Sequence, residues 1–405
     1  MRIAIATLGC KANQYDSEVL RAKFESRGCH VVSFSENADI YVINTCTVTG
    51  KTDYQSRQLV RRAHRRNPQA KIVVTGCYAH VAPGELALLP GVSIIAGNLE
   101  KKALAELVLE ATNDKEPLTV VTPFQKNTPF FQEPIEAFAA KTRFFLKIQD
   151  GCNARCTYCI IPQARGPSRS MDPETVLQML RNIGRADCKE VVLTGIHLGA
   201  YGFDLDPATS LLQLLRQIEE LKPVSRIRLS SLEPNELTQE LIDFLAKSNT
   251  VCPHLHLPLQ SGNNAVLHRM NRPYSAEEFR RLVENAVDSI PELAVGVDVM
   301  VGFPGEDNHE FQETFNLLEA LPITYFHVFP FSPRKGTPAS LFPEKVHGTT
   351  VKLRKNMLHS LSRQKKACFY KSYLGKNVPV LIEATRDRRT NLLKGFSRNY
   401  IPVQA

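Results

Sequence analysis

No stretch of this 405-residue chain approaches 18 uncharged apolar residues, which excludes a membrane-spanning helix. The opening segment MRIAIATLGC has none of the basic-then-apolar layout of a secretory signal and runs directly into an alternating strand pattern. The sequence therefore predicts a cytoplasmic protein with no membrane partner. No internal repeat is present. Apolar residues make up 43% and charged residues 22%, near the globular average, so wholesale disorder is excluded. At roughly 150 residues per domain, the length predicts two to three domains. Disulfides do not persist in a reducing cytosol. The ten cysteines, at 10, 29, 46, 77, 152, 156, 159, 188, 252 and 368, therefore call for another explanation, metal ligation or catalysis.

Acidic residues are scarce in one place only. Residues 351–405 hold 13 basic and 2 acidic side chains, a charge of +11, while the other 350 hold 37 and 39, a charge of −2. A concentrated basic surface favours a polyanionic partner, nucleic acid first. A solvated charged helix followed by a small basic domain accounts for the same numbers.

The first hundred residues alternate strand and helix: strands at 3–8, 39–44, 71–75 and 93–96, helices at 14–26, 53–66 and 101–111. That alternation predicts an α/β domain over 1–112, an open parallel sheet with covering helices. Residues 113–140 decay into Pro, Thr, Gln and Asn and read as a linker. A second alternating series fills 141–371, with strands at 144–149, 190–194, 226–230, 252–257, 294–301 and 325–331. Six strand–helix units suit a partial (β/α)6 barrel and fall short of the eight of a complete one. Residues 372–405 offer three short β-like pieces, too few for an independent barrel, and are expected to be a truncated small β-barrel.

The strongest local signal is DGCNARCTYCIIP, with Cys152, Cys156 and Cys159 spaced C-x3-C-x2-C directly after the first strand of the second series. Thiolates are the usual ligands of iron–sulfur clusters, and close spacing lets one loop wrap a cubane. Three cysteines leave one iron of a [4Fe–4S] cluster open to an exogenous ligand. Structural zinc wants four ligands, usually as two separated pairs, and fits less well.

Cys10, Cys46 and Cys77 stand in matching contexts, IATLGC, VINTC and VVTGC, each just past the carboxyl end of a predicted parallel strand. Such ends lie along one edge of an open α/β sheet, so the three could converge and hold a second cluster. Three small residues tolerated at crowded strand–loop junctions fit the same pattern.

The C-x3-C-x-aromatic-C motif, with Tyr158 as the aromatic, resembles the radical S-adenosylmethionine (SAM) superfamily. The resemblance implies a [4Fe–4S] cluster on Cys152, Cys156 and Cys159, its unique iron chelated by SAM. It implies reductive cleavage of SAM to a 5′-deoxyadenosyl radical and a partial radical SAM barrel. SAM contacts would come from Tyr158, from Gly195 in TGI at 194–196, from Gln260 and from VDVMVGFPG at 297–305. The wider set of motifs is similar to the methylthiotransferase family of these enzymes. It comprises LGCKANQYDSE at 8–18, INTCTVT at 43–49, TGCYAH at 75–80 and KIQDGCNARCTYCIIPQARG at 147–166. LTGIHLGAYG at 193–202, HLPLQSGNNAVLHRMNR at 256–272 and VGFPGEDNHEF at 301–311 complete it. That family implies a second, auxiliary [4Fe–4S] cluster on Cys10, Cys46 and Cys77, whose open iron carries the sulfur delivered to the substrate.

Within that family the sequence most resembles the branch that acts on threonylcarbamoyladenosine at tRNA position 37, in the anticodon loop. NTCTVTGKTDYQSRQLVRRA at 44–63, VLTGIHLGAYG at 192–202, RLSSLEP at 228–234 and FSPRKGTPAS at 331–340 carry the likeness. The implied product is the 2-methylthio derivative. The alternative substrates are isopentenyladenosine-37 of tRNA and a ribosomal-protein aspartate. An electron donor and a sulfur donor are implied as further partners. The tail segments GKNVPVLIE at 375–383 and LKGFSRNYIPV at 393–403 resemble the start of a TRAM domain, a small RNA-binding β-barrel. Arg57, Arg61, Arg62, Arg65 and Arg66 form either a tRNA-facing stripe or a solvated helix face. His254, His256 and Gln260 either touch SAM or adenine or form a satisfied polar layer. Cys29, Cys188, Cys252 and Cys368 read as structural. No side chain is assigned as general acid or base.

Overall fold

A computed structural model describes residues 1–111, 116–131, 142–387 and 389–405. Its first sheet is wholly parallel. The strands are β1 (Arg2–Thr7), β2 (His30–Val32), β3 (Ile40–Thr45), β4 (Lys71–Gly76), β5 (Val92–Ala96) and β6 (Leu118–Val120), in the order β2-β1-β3-β4-β5-β6. Central β3 and β4 are covered on both faces, which is why IYVINT and KIVVTG read as nearly unbroken apolar runs. The helix Lys11–Ser26 returns from β1, and Gly50–Arg66 from β3. The latter starts at a capping box in which Thr49 and Thr52 satisfy each other's backbone N–H groups. Strand β6 lies inside the expected linker 113–140 and pairs in register with β5. That part of the linker is an edge strand. Residues 112–115 and 132–141, which hold the linker positions 113–115 and 132–140 and the expected start of the second domain at 141, lie outside the described residues.

The second series begins with β7 (Arg143–Lys147). The expected strand 144–149 breaks at Ile148, because β8 (Gln149–Asp150) turns to pair antiparallel with β9 (Arg169–Ser170). That pairing ties together the two ends of the loop carrying Cys152, Cys156 and Cys159. The remaining strands are β10 (Glu190–Thr194), β11 (Arg226–Leu229), β12 (His254–Gln260), β13 (Ala294–Val301) and β14 (Tyr325–Pro330). They form two parallel halves, β11-β10-β7 and β12-β13-β14, joined at a seam by the Ile227–Val251 bridge and by Leu232 N–H donating to His256 carbonyl at 3.0 Å. The result is the six-stranded partial barrel.

Period-two alternation decides what each barrel strand presents. Leu255, Leu257, Leu259, Val295, Val297, Val299, Phe326 and Val328 enter the core beneath the helices. His254, His256, Gln260, Asp298, Met300, Tyr325, His327 and Phe329 line the lumen. Gly296 makes room for Tyr325: a Cβ there would lie 2.4 Å from the ring and force it to shift.

The helix Gly348–Lys371 packs on β14, and β15 (Val380–Arg386), β16 (Leu393–Ser397) and β17 (Pro402–Gln404) follow as an antiparallel meander. The meander is fastened to the barrel by arginines. Arg228 donates to Arg398 carbonyl at 2.9 Å, Arg398 donates to Val251 carbonyl at 2.9 Å, and Arg143 pairs with Glu383 at 3.0 Å. No described helix is long and apolar enough to cross a membrane.

Candidate functional site

Cys10, Cys46 and Cys77 follow β1, β3 and β4, three neighbouring strands of one sheet, at their carboxyl ends. Cys77 opens the short helix Cys77–Val81. Asn13, fully buried, donates to Leu8 carbonyl at 2.7 Å and to Thr45 carbonyl at 2.9 Å, so one side chain ties the Cys10 loop to the Cys46 loop. Thr45 Oγ1 donates to Thr75 carbonyl at 2.6 Å and ties in the third strand. Gly9 has φ of +97°, and a Cβ there would lie 2.7 Å from Cys46 Cβ and 2.8 Å from its Sγ. The three cysteines thus meet at one edge despite 31 and 36 residues of separation.

Cys152, Cys156 and Cys159 occupy the loop between β8 and β9. Arg272 Nη1 donates to Cys156 Sγ at 3.3 Å, and Ala154 N–H donates to Cys152 Sγ at 3.4 Å. His197 stands with Nδ1 at 3.5 Å from Cys152 Sγ and Nε2 at 2.6 Å from Glu236, an orienting carboxylate. Gly151 has φ of +74°, and a Cβ there would fall 1.9 Å from Pro167 carbonyl oxygen. Gly151→Ala is therefore expected to cost on the order of 3 kcal/mol and to strip this loop's iron, read by thermal unfolding and iron assay.

In each triad one buried thiol feels the others. Burial, then Cys77 and more weakly Cys10, pushes the Cys46 thiol up to about 11. Burial, with Cys156 and Cys152 adding, pushes Cys159 up to about 12. A group that binds these thiolates must therefore displace protons. Apart from His256, Asp298 and His327, no three His, Cys, Asp or Glu among the described residues bring ligand atoms within 4.8 Å of one another. One tetrahedral zinc would draw its sulfurs to about 3.8 Å apart. The wider spread of both triads suits a cubane.

Between the triads lies a buried ionic network that motif reading missed. Asp16 pairs with Lys101 at 2.7 Å, with Lys147 and with Arg165. Asp150, two residues before Cys152, pairs with Lys147 at 2.9 Å and with Arg165 at 2.8 Å. Arg165 also donates to Asn13. All of these side chains are buried. Burial would raise the Asp16 and Asp150 carboxyls, but the surrounding cations overcome it and hold both below the usual carboxylate range. With Arg169 alongside, four cations face two carboxylates, a positive surplus between two sets of thiols. Asn98 adds a link, donating to Ala164 carbonyl at 2.6 Å with Cys77 Sγ at 3.8 Å. Asn13, Asp16, Lys147, Asp150 and Arg165 fall inside the motifs at 8–18 and 147–166, the one signal that could have found them, whereas Asn98, Lys101 and Arg169 lie outside any motif.

The barrel lumen holds two cavities. The upper, about 230 Å³, is lined by Tyr158, Cys159, Gln260, Asp298, Met300 and Phe329 among others. Gln260 stands there with φ of +67°, at a register shift of β12. The lower, about 380 Å³, is lined by Lys11, Arg228, His254, His256, Tyr325 and His327 among others. His256 Nε2 bonds Asp298 at 2.9 Å, and His254 Nε2 bonds Tyr325 hydroxyl at 2.9 Å. Gly195 is packed against Gln149, whose Oε1 would lie 2.7 Å from a Cβ there. Gln149 in turn accepts from His197 N–H at 2.7 Å and donates to Gly151 carbonyl at 2.8 Å, bracing the cysteine loop. The arginine stripe divides. Arg57 is engaged with Tyr78 and Arg66 with Phe34 carbonyl, while Arg62 and Arg65 are exposed. Cys29, Cys188 and Cys252 are buried, and Cys368 is exposed on the C-terminal helix.

Residues 146–318 match the radical SAM superfamily, and residues 2–97 match the uncharacterized protein family UPF0004. The chain is 39% identical over 404 residues to the threonylcarbamoyladenosine tRNA methylthiotransferase MtaB of Bacillus subtilis (strain 168), covering 99% of this chain and 89% of that one. It is 32% identical to the tRNA-2-methylthio-N(6)-dimethylallyladenosine synthase of Pelotomaculum thermopropionicum, over 97% and 88%. Among solved structures it resembles the radical SAM methyltransferase TsrM from Kitasatospora setae, with a TM-score of 0.60 at 16% identity, over 84% of this chain and 74% of that one. That likeness shows the fold.

Proposed function

We propose how the residues of this chain, which belongs to the radical SAM tRNA methylthiotransferases in their threonylcarbamoyladenosine branch, divide the work of its reaction. The reaction is 2-methylthiolation of N6-threonylcarbamoyladenosine at position 37 of tRNA. Cys152, Cys156 and Cys159 hold one [4Fe–4S] cluster, and Cys10, Cys46 and Cys77 hold the other. When bound, the first cluster with SAM supplies the radical that an inert aromatic C–H at adenine C2 requires, and the second supplies the sulfur. The observation that carries the reading is the pair of three-thiol sites, one at the carboxyl ends of three parallel strands and the other on the β8–β9 loop, joined through one buried network.

The chain's own residues hold and shield. His197, braced by Glu236, and Arg272, braced by Glu233, direct polar hydrogens at Cys152 and Cys156. Hydrogen bonds to cluster sulfurs tune reduction potential. Tyr158 and Gln260, with the 297–305 segment that supplies Asp298 and Met300, line the upper cavity where SAM docks beside Cys159. Gly195 acts one step away, admitting Gln149. The cationic surplus around Arg165 offsets the negative charge that thiolate-bound clusters bring into a dry interior. The side chains store neither electrons nor transferable sulfur, so an external electron donor and a sulfur donor complete the reaction. Mass analysis of tRNA nucleosides from cells with and without the gene tests the substrate. The methylthio form of the threonylcarbamoyl nucleoside is expected to disappear with the gene, and its persistence would sink the assignment.

A further inference from the structure

The lower lumen cavity has a composition that the cluster chemistry leaves unexplained. Its fourteen lining residues include Lys11, Arg228 and Lys366 and the histidines 254, 256 and 327, and no carboxylate. Arg228 is spent on Glu190, at 2.9 and 3.0 Å, and His256 on Asp298, which faces the upper cavity. Lys366 is exposed, its Nζ 5.6 Å from the Tyr370 ring, and makes no ion pair among the described residues. Lys11 makes no side-chain hydrogen bond or ion pair among the described residues. His254 is 4% exposed, yet its Nδ1 has no partner. Burial, then Arg228, His256, Lys11 and His327, drives His254 well below its ordinary range, while the Asp298 carboxylate, within 4.8 Å of His256 and His327, offsets part of the positive charge there. A half-buried ammonium with no ion-pair partner among the described residues, set beside a buried imidazole nitrogen that also lacks one, favours an incoming anion.

We propose that this chamber is a carboxylate subsite, in which Lys11, flanked by His254 and His327, receives the carboxylate of the threonyl group on adenine N6. The proposal rests on the family reading above and deepens it. The dimethylallyl group of the sister substrate carries no anion and gains nothing from such a chamber. Depth agrees. In the registers Asp298↔His327 and Met300↔Phe329, the histidine layer lies two residues below the layer beside Cys159. Two residues along a strand are about 7 Å, within reach of a substituent of a few bonds. Lys11 immediately follows Cys10, so the same turn that presents a thiol to the auxiliary site delivers the ammonium to the lumen. One short segment thereby sets the adenine's distance from both.

The test uses the reconstituted enzyme and anticodon stem-loops bearing N6-threonylcarbamoyladenosine, its threonyl carboxamide, or dimethylallyladenosine. Kd is read by calorimetry and kcat/KM by product mass. The acid is expected to bind about 10- to 100-fold more tightly than the carboxamide, the range for a buried charge-assisted contact. In Lys11→Gln that ratio collapses toward one. Equal handling of acid and carboxamide by the unaltered enzyme, which needs no variant, overturns the subsite and leaves the family reading standing. So does a Lys11→Gln enzyme that weakens both ligands equally, the pattern of a backbone phosphate in the chamber. Conversion of the dimethylallyl stem-loop with neither threonyl form converted overturns both.

Discussion

Replacing Cys10, Cys46 and Cys77 together by alanine halves the iron loaded under anaerobic reconstitution, from about eight atoms per chain to about four, the content of one remaining [4Fe–4S] cluster. Methylthio product disappears below detection, while 5′-deoxyadenosine still forms from SAM under a strong reductant. The division follows from the architecture. The three substituted residues end β1, β3 and β4 of the first sheet, whereas Cys152, Cys156 and Cys159 sit on a loop pinned by its own two-strand clasp, β8 with β9. Alanine in place of Cys46 and Cys77 removes only a sulfur atom from buried sites, so the sheet itself is expected to persist. Iron counted by colorimetric assay, with 5′-deoxyadenosine by chromatography, checks both halves. Unchanged iron in the triple variant would remove the second cluster from the mechanism. Loss of 5′-deoxyadenosine as well would mean that the two sites are not separable.

How much of this was legible in the sequence depends on what each element faces. Strands β3 and β4 are covered on both sides and announced themselves as apolar runs, and the lumen strands as period-two alternation. The cysteines were visible because strand ends share an edge once parallel order is assumed, although nothing in their spacing said so. Strand β6 was hidden, because an edge strand of three residues in a Pro- and Thr-rich stretch has little apolar content to bury. The β8–β9 clasp is two residues long, below any periodic signal. The ionic network was hidden for a different reason. The helix Lys11–Ser26 reads as amphipathic, with Asp16 on an ordinary polar face. In fact it is sandwiched: Leu20 and Phe24 enter the core of the first sheet, while Tyr15 and Val19 enter the barrel core, Tyr15 edge-on to Phe144 at 6.3 Å. Its polar residues are an interface, and only the arrival of Lys147, Asp150 and Arg165 from 131 to 152 residues away explains them. The lower lumen chamber is similarly non-local, with Lys11, His254, His327 and Lys366 supplied by four separate segments.

That interface makes Arg165 the residue whose loss should cost most outside the cysteines. Arg165→Met is expected to destabilise the protein by about 3–5 kcal/mol, the usual cost of breaking a buried charge pair from one side. The guanidinium is 1% exposed and serves Asp150 through two bonds, Asp16 and Asn13 at once. Methionine approximates its length but leaves two carboxylates short of donors and Asn13 Oδ1 unsatisfied, while Asn13 is the clamp between the Cys10 and Cys46 loops. Arg165→Lys is expected to recover only part of the loss, because one ammonium cannot meet Asp150 and Asn13 in the same fork. The pH dependence separates this account from simple loss of packing. Both carboxyls lie below their ordinary range in the folded state, so their contribution is complete above about pH 4 and is lost as pH falls through the depressed folded values. The deficit of Arg165→Met in urea unfolding should therefore be full at neutral pH and shrink on acidification, as protonation relieves the stranded carboxylates. A deficit independent of pH would point to packing alone. Iron in both sites should fall with the stability, since Arg165 closes the loop that carries Cys152 and, through Asn13, steadies the one that carries Cys10.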